Sequence, residues 1–157
     1  MKRRSPLRVL FVNGPNLNVL GKREPDVYGK QTLADIRESV EEAARKEGVE
    51  VVFFQSNHEG AIVDVLQEAR EKADGVVINP GGFTHTSVAI RDALLYADLP
   101  TIEVHLSNPA RREGFRKVSF VEDVVMGRIC GFGGSGYLLA LQALLRHLRR
   151  GKSRGRG

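Results

Sequence analysis

The stretch from Val76 to Asp92 reads V-V-I-N-P-G-G-F-T-H-T-S-V-A-I-R-D. Val76, Val77 and Ile78 are consecutive β-branched residues, the pattern of a strand buried on both faces of a parallel sheet. Asn79-Pro80-Gly81-Gly82 then ends the strand, because proline fixes φ and glycine admits conformations other residues avoid. Thr84, Thr86 and Ser87 are suitable helix N-caps, and an apolar pattern follows at Val88, Ile90 and Leu94. A buried strand therefore turns sharply into a helix. That leaves Asn79, His85 and backbone N–H groups at the carboxyl end of a strand, where open α/β sheets bind their ligands.

The same alternation recurs along the chain. Arg8 to Asn13 reads as a first strand, closed by the breakers Asn13-Gly14-Pro15-Asn16. The stretch from there to Thr32 has no regular pattern; a lid over a site and a surface loop both fit it. Thr32-Leu33-Ala34-Asp35 resembles a capping box with Asp for the usual Glu. Leu33, Ile36, Val40 and Ala43 then recur at helical spacing until Gly48. Val49 to Phe54 is a second strand, and Gln55 to Gly60 leads into a helix through Ile62, Leu66 and Ala69. The helix after Val76–Ile78 runs to about Asp98. Thr101 to Leu106 and Val125 to Cys130 complete the strands. Gly131 to Gly136 turns into a last helix carrying Leu138, Leu141, Leu145 and Leu148. Strands alternating with helices imply a parallel sheet with right-handed crossovers. The expected fold is α/β: a flavodoxin-like three-layer sandwich with a five-stranded sheet in the order 2-1-3-4-5. We expect one domain over residues 1–157, with an ordered core from 7 to 148.

Charge is concentrated at the ends. Of 24 Lys and Arg, residues 1–8 hold four and residues 146–157 hold six, so the middle has 14 against 19 acidic residues. Residues 149–157 read as a disordered basic tail. A solvated tail is preferred over a contact to nucleic acid or anionic lipid. No run of 18 apolar residues occurs, and the N-terminus lacks the apolar core of a signal peptide. A single cysteine, Cys130, leaves no internal disulfide and points to a reducing cytoplasm.

Gly131-Phe132-Gly133-Gly134-Ser135-Gly136 matches G-x-G-x-x-G, but no second strand with an acidic residue follows. Close packing of the last helix is the preferred reading, and a flavodoxin-like nucleotide site the alternative. His58, His85 and His105 all fall near carboxyl ends of strands. Their spacing offers no helical ligand pair for zinc, whereas two of them near Asn79 and Ser107 suit acid–base work. Tyr28 shares its loop with Arg23. Tyrosine, with a pKa of about 10, is a poor base at neutral pH, and a drop of 2–3 units takes about 3–4 kcal/mol. A close guanidinium in a site that excludes water supplies energy of that order. On this pair alone, a loop anchor remains the simpler reading of Tyr28.

Taken together, N-G-P-N-L-N at 13–18, L-G-K-R-E-P-D-V-Y-G at 20–29, Q-S-N-H-E-G at 55–60, the stretch 78–93, E-V-H-L-S-N at 103–108 and G-Y-L-L-A-L at 136–141 resemble the type II 3-dehydroquinate dehydratases. The resemblance covers about 130 residues in the family's order. It implies a cofactor-independent dehydration of 3-dehydroquinate to 3-dehydroshikimate in the shikimate pathway, and the lack of a credible ligand cluster leads us to expect turnover without a metal. It also implies the roles. Tyr28 is the base, Arg23 keeps it ionised, Asn16 holds a water that stabilises an enolate, and His105 is the general acid. Asn79, His85, Leu106, Ser107 and Arg116 bind substrate, Arg112 belongs to the lid side, and Asp92 reaches in from a neighbouring subunit. The implied assembly is a homododecamer, a tetramer of trimers. Among the matching strand-end motifs no lysine is placed for a Schiff base, which favours an enolate over an imine route.

Overall fold

Arg8–Asn13 forms β1, and every residue after Arg8 is buried. The other strands are β2 (Glu50–Gln55), β3 (Gly75–Asn79), β4 (Thr101–His105) and β5 (Gly127–Cys130). The computed structural model describes residues 5–22, 24, 26 and 29–154, with side chains through Arg150. All pairings among the strands are parallel, and the sheet order is β2-β1-β3-β4-β5, as expected from the sequence. The chain grows outward from β1 to β2, then crosses back to β3 and grows the other way. The crevice between the ends of β1 and β3 is therefore the switch point of a flavodoxin-like sheet.

Among the described residues four long helices cover the two faces: α1 (Leu33–Glu47), α2 (Glu59–Lys72), α3 (Val88–Ala97) and α4 (Ser135–Arg154). Successive strand residues point to opposite faces, so each strand feeds two cores. Val9, Phe11, Val77 and Val104 pack with Ile36 and Val40 of α1 and Leu141 and Leu144 of α4. Leu10, Val12, Val76 and Ile78 pack with Ile62 and Leu66 of α2 and Ile90 and Leu94 of α3. The β-branched run of β3 is buried on both faces because helices lie over both.

Local chemistry sets the helix ends. The Thr32 hydroxyl accepts from the Asp35 N–H at 3.2 Å and the Asp35 carboxylate accepts from the Thr32 N–H at 2.9 Å, closing the capping box. Gly48 ends α1 at φ 66°, a left-handed position that suits a residue without Cβ. Of the three possible caps before α3, Ser87 is used; its hydroxyl accepts from the Ile90 N–H at 2.9 Å.

Three details differ from the sequence expectation. β5 begins at Gly127 rather than Val125, because Val124 and Val125 instead pack against the second core. Within the loop after β1, Leu17–Val19 forms a 3-10 turn, and Leu17 and Leu20 are buried in the first core. The last helix runs past Arg149, where the sequence suggests a tail, and ends at Arg154. Arg149 reaches back to Glu47 of α1, with Nη1 donating to Oε2 at 2.8 Å. Residues 155–157 lie outside the described part.

Candidate active site

The loops after β1, β3 and β4 enclose a cavity of about 170 Å³. From the first loop come Pro15, Asn16, Leu17 and Leu20; from the second, Asn79, Gly81, Gly82 and His85; from the third, His105, Leu106, Ser107, Pro109, Arg112 and Arg116. Of the residues expected from the sequence, Asn16, Asn79, His85, His105, Leu106, Ser107, Arg112 and Arg116 thus share one cavity. Arg23 and Tyr28 lie outside the described residues. Asp92 does not line the cavity of its own chain; it stands on the exposed face of α3. His58 is the exposed residue preceding α2, and His147 is exposed on α4. Among the described residues no group of three His, Cys, Asp or Glu side chains is placed to hold a metal ion. No described helix is long and apolar enough to cross a membrane.

Close backbone packing shapes the floor. A Cβ on Gly14 would stand 2.2 Å from the Pro80 carbonyl oxygen, so only glycine lets the loops after β1 and β3 meet there. Asn16 holds a left-handed conformation at φ 68°, which asparagine tolerates better than most residues. Its backbone N–H donates to Asn57 Oδ1 at 3.0 Å, and Gln55 Nε2 donates to the same oxygen at 3.2 Å. The loop after β2 thereby braces the residue that faces the cavity.

Histidine orientation is set from behind. A carbonyl can only accept, so the 2.6 Å contact to Val118 O puts the proton of His85 on Nδ1. His105 is 7% exposed, and its Nε2 is a buried nitrogen with no aligned hydrogen bond. Glu103 Oε1 stands 3.3 Å from it, an ion-pair distance without hydrogen-bond geometry. Glu103 lies two residues earlier on β4, hence on the same face of the sheet. It is fully buried, accepts from Thr84 Oγ1 at 2.5 Å and Ser119 Oγ at 2.9 Å, and pairs with Arg128. Burial pushes its carboxyl up, but contact with His105, the Thr84 hydroxyl and Arg128 overcome that and bring its pKa down to about 2. A permanent anion therefore sits behind the His105 ring.

The glycine run 131–136 packs rather than binds. Gly131 N–H donates to His105 O at 3.2 Å and Gly133 N–H to Leu106 O at 2.9 Å, while Gly136 stands against Val104. None of the run lines the cavity, and its left-handed glycines at 131 and 133 fix the end of β4 where Leu106 and Ser107 begin.

The sequence model described as dehydroquinase class II matches residues 7–145. The chain belongs to the class II dehydroquinases. A 3-dehydroquinate dehydratase of Nostoc sp. is 56% identical over 144 residues, covering 92% of this chain and 98% of that protein. One from Campylobacter hominis is 52% identical over 139 residues, covering 88% and 90%. The crystal structure of a type II dehydroquinase from Butyrivibrio crossotus matches with TM-score 0.86 and 46% identity, covering 88% of this chain and 97% of its own. Its counterpart from Propionibacterium acnes gives 0.85 and 42%, covering 89% and 98%.

Sequence reasoning passed over several residues that build this dehydroquinase site. Glu103 stands as one acidic residue inside an apolar strand, and that misfit was the available signal: a carboxylate in such a strand needs partners. Asn13, Gln55, Asn57 and Tyr137 were visible only as members of longer motifs.

Proposed function

We propose that this chain is a 3-dehydroquinate dehydratase of the shikimate pathway, acting without a cofactor in the cytoplasm through an enolate intermediate. The observation that carries the reading is one cavity at the β1/β3 switch point lined together by Asn16, Asn79, His85, His105, Leu106, Ser107, Arg112 and Arg116. A small polyhydroxylated acid needs such a set: cations and amides for its carboxylate, amide and imidazole groups for its hydroxyls.

In this reading Tyr28, ionised by Arg23, removes the proton beside the ketone. A water held by Asn16 stabilises the enolate oxygen. His105 then protonates the departing hydroxyl, and collapse of the enolate releases water and the conjugated enone. Glu103 stands behind the His105 ring and keeps it oriented for that transfer. Leu106 and Ser107 receive the carboxylate through their backbone N–H groups, because successive amides past a strand end form an anion-binding concavity. Asn79, His85 and Arg116 hold the remaining substrate oxygens, and Arg112 stands on the lid side. The test is direct. Purified protein given 3-dehydroquinate is expected to produce the ultraviolet absorbance of a conjugated enone, undiminished by EDTA. No absorbance, or activity lost to EDTA and restored by zinc, overturns the scheme.

We further propose that the site is completed across a subunit interface in trimers that assemble into a dodecamer. What supports this is the outer face of α3, where Val88, Leu95 and Tyr96 are each more than half exposed in line with Asp92. An apolar stripe carrying one carboxylate suits contact with a neighbour's site, and cyclic symmetry repeats that contact three times. Coexpression of Tyr28→Phe chains with Asp92→Ala chains is expected to restore about a quarter of wild-type activity, since half the sites take an intact Tyr28 and half of those an intact Asp92. Activity no higher than the average of the two mutants alone refutes sharing.

A further inference from the structure

Tyr137 is fully buried and does not line the cavity, yet its hydroxyl joins two of the strand-end asparagines. Asn13 Nδ2 donates to Phe54 O at 3.2 Å, and Tyr137 Oη donates to Asn13 Oδ1 at 2.7 Å. Asn79 Nδ2 donates to Tyr137 Oη at 3.0 Å, and Gly81 N–H donates to Asn79 Oδ1 at 3.1 Å. Both ends of this chain are backbone groups of fixed polarity: a carbonyl only accepts and an N–H only donates. An asparagine amide can be turned either way in principle. Here only one orientation of each amide satisfies every link, with the phenol donating to Asn13 and accepting from Asn79. Burial raises the phenol's pKa, offset in part by the bond from Asn79, so it stays protonated and keeps its donor role.

The Asn79 amide thus has its oxygen and one N–H committed, and the N–H that remains belongs to a side chain in the cavity wall. We propose that Tyr137 is a positioning residue that locks the Asn79 amide with its nitrogen toward bound substrate, so that this part of the site accepts only a hydrogen-bond acceptor oxygen. The proposal rests on the reading of Asn79 as a substrate-binding residue.

Tyr137→Phe removes the acceptor for Asn79 and the donor for Asn13 without changing the ring. Asn79 holds substrate and transition state alike, so the loss belongs in KM. KM for 3-dehydroquinate is expected to rise about 3- to 10-fold, the worth of one hydrogen bond, with kcat within about twofold of wild type. The deciding measurement is a double-mutant cycle with Asn79→Ala. If Tyr137 acts through Asn79, Tyr137→Phe raises KM in the wild type and leaves it unchanged in Asn79→Ala. An equal rise in both backgrounds makes Tyr137 merely structural and overturns the proposal. Unchanged KM in Asn79→Ala overturns instead the substrate role of Asn79. Should Tyr137→Phe not fold, Tyr137→Phe/Asn13→Leu, which leaves no orphan acceptor at Asn13, takes its place in the cycle. Failure of that variant to fold also overturns the proposal, since Tyr137 is then a requirement of the core.

Discussion

His105→Ala is expected to lower kcat about 100- to 10,000-fold, the usual worth of one general acid, with little change in the fold. The side chain borders the cavity, so its removal enlarges a space that water can enter rather than opening a void in either core. The loss falls on one step. Proton abstraction belongs to Tyr28 in the proposed scheme, and departure of the hydroxyl to His105. Incubated in deuterium oxide, the mutant is expected to incorporate solvent deuterium into 3-dehydroquinate faster than it eliminates water. Equal suppression of exchange and elimination rules out a stepwise enolate with separate base and acid.

Glu103→Gln is expected to affect stability as well as catalysis. Glutamine keeps one oxygen for Thr84 and Ser119 but turns an NH₂ toward Arg128, setting donor against donor. In the wild type the Glu103 carboxyl is lowered from 4.5 to about 2. A lowered carboxyl pKa means that the unfolded chain binds the extra proton, so the stabilisation is complete above about pH 4.5 and is lost as pH falls toward 2. A shift of that size corresponds to about 3 kcal/mol. Unfolding free energies from urea titrations at fixed protein concentration are therefore expected to fall by that amount for Glu103→Gln at neutral pH, with a flatter pH dependence between 4.5 and 2 than in the wild type. Parallel profiles for the two proteins exclude Glu103 as the titrating group. The same substitution also withdraws the anion behind His105, so kcat is expected to fall even where the protein is fully folded.

What was legible in the sequence was local. Val76–Ile78 announced a buried strand because β-branched residues in a row fit little else, and Thr32 with Asp35 closes its capping box within four residues. The switch-point site followed from strand ends, each marked by its own breaker. What was not legible depends on partners far away in the chain. Glu103 draws Thr84, Ser119 and Arg128 from separations of 19, 16 and 25 residues. Tyr137 meets Asn13 across 124 residues, so the motif that contains it says nothing of the partner its hydroxyl finds. The 3-10 turn at Leu17–Val19 has no period to read; it forms where Leu17 and Leu20 drop into the first core. The last helix passes Arg149, which meets Glu47 of α1 across 102 residues, a contact the basic composition alone conceals.

The bridge from Tyr137 to Asn13 and Asn79 also has a consequence in time. A nascent chain emerges with β1 first, and its sheet can begin to assemble while the ribosome is still at work. Through that period Asn13 and Asn79 have no hydroxyl between them, because the residue that supplies it belongs to α4, which follows all five strands in the chain. The Asn79 amide is therefore set only after Tyr137 has been made. A ribosome that stalls before Tyr137 leaves a chain carrying His85, His105 and both arginines of the cavity wall, yet with its oldest strand still waiting for its youngest helix.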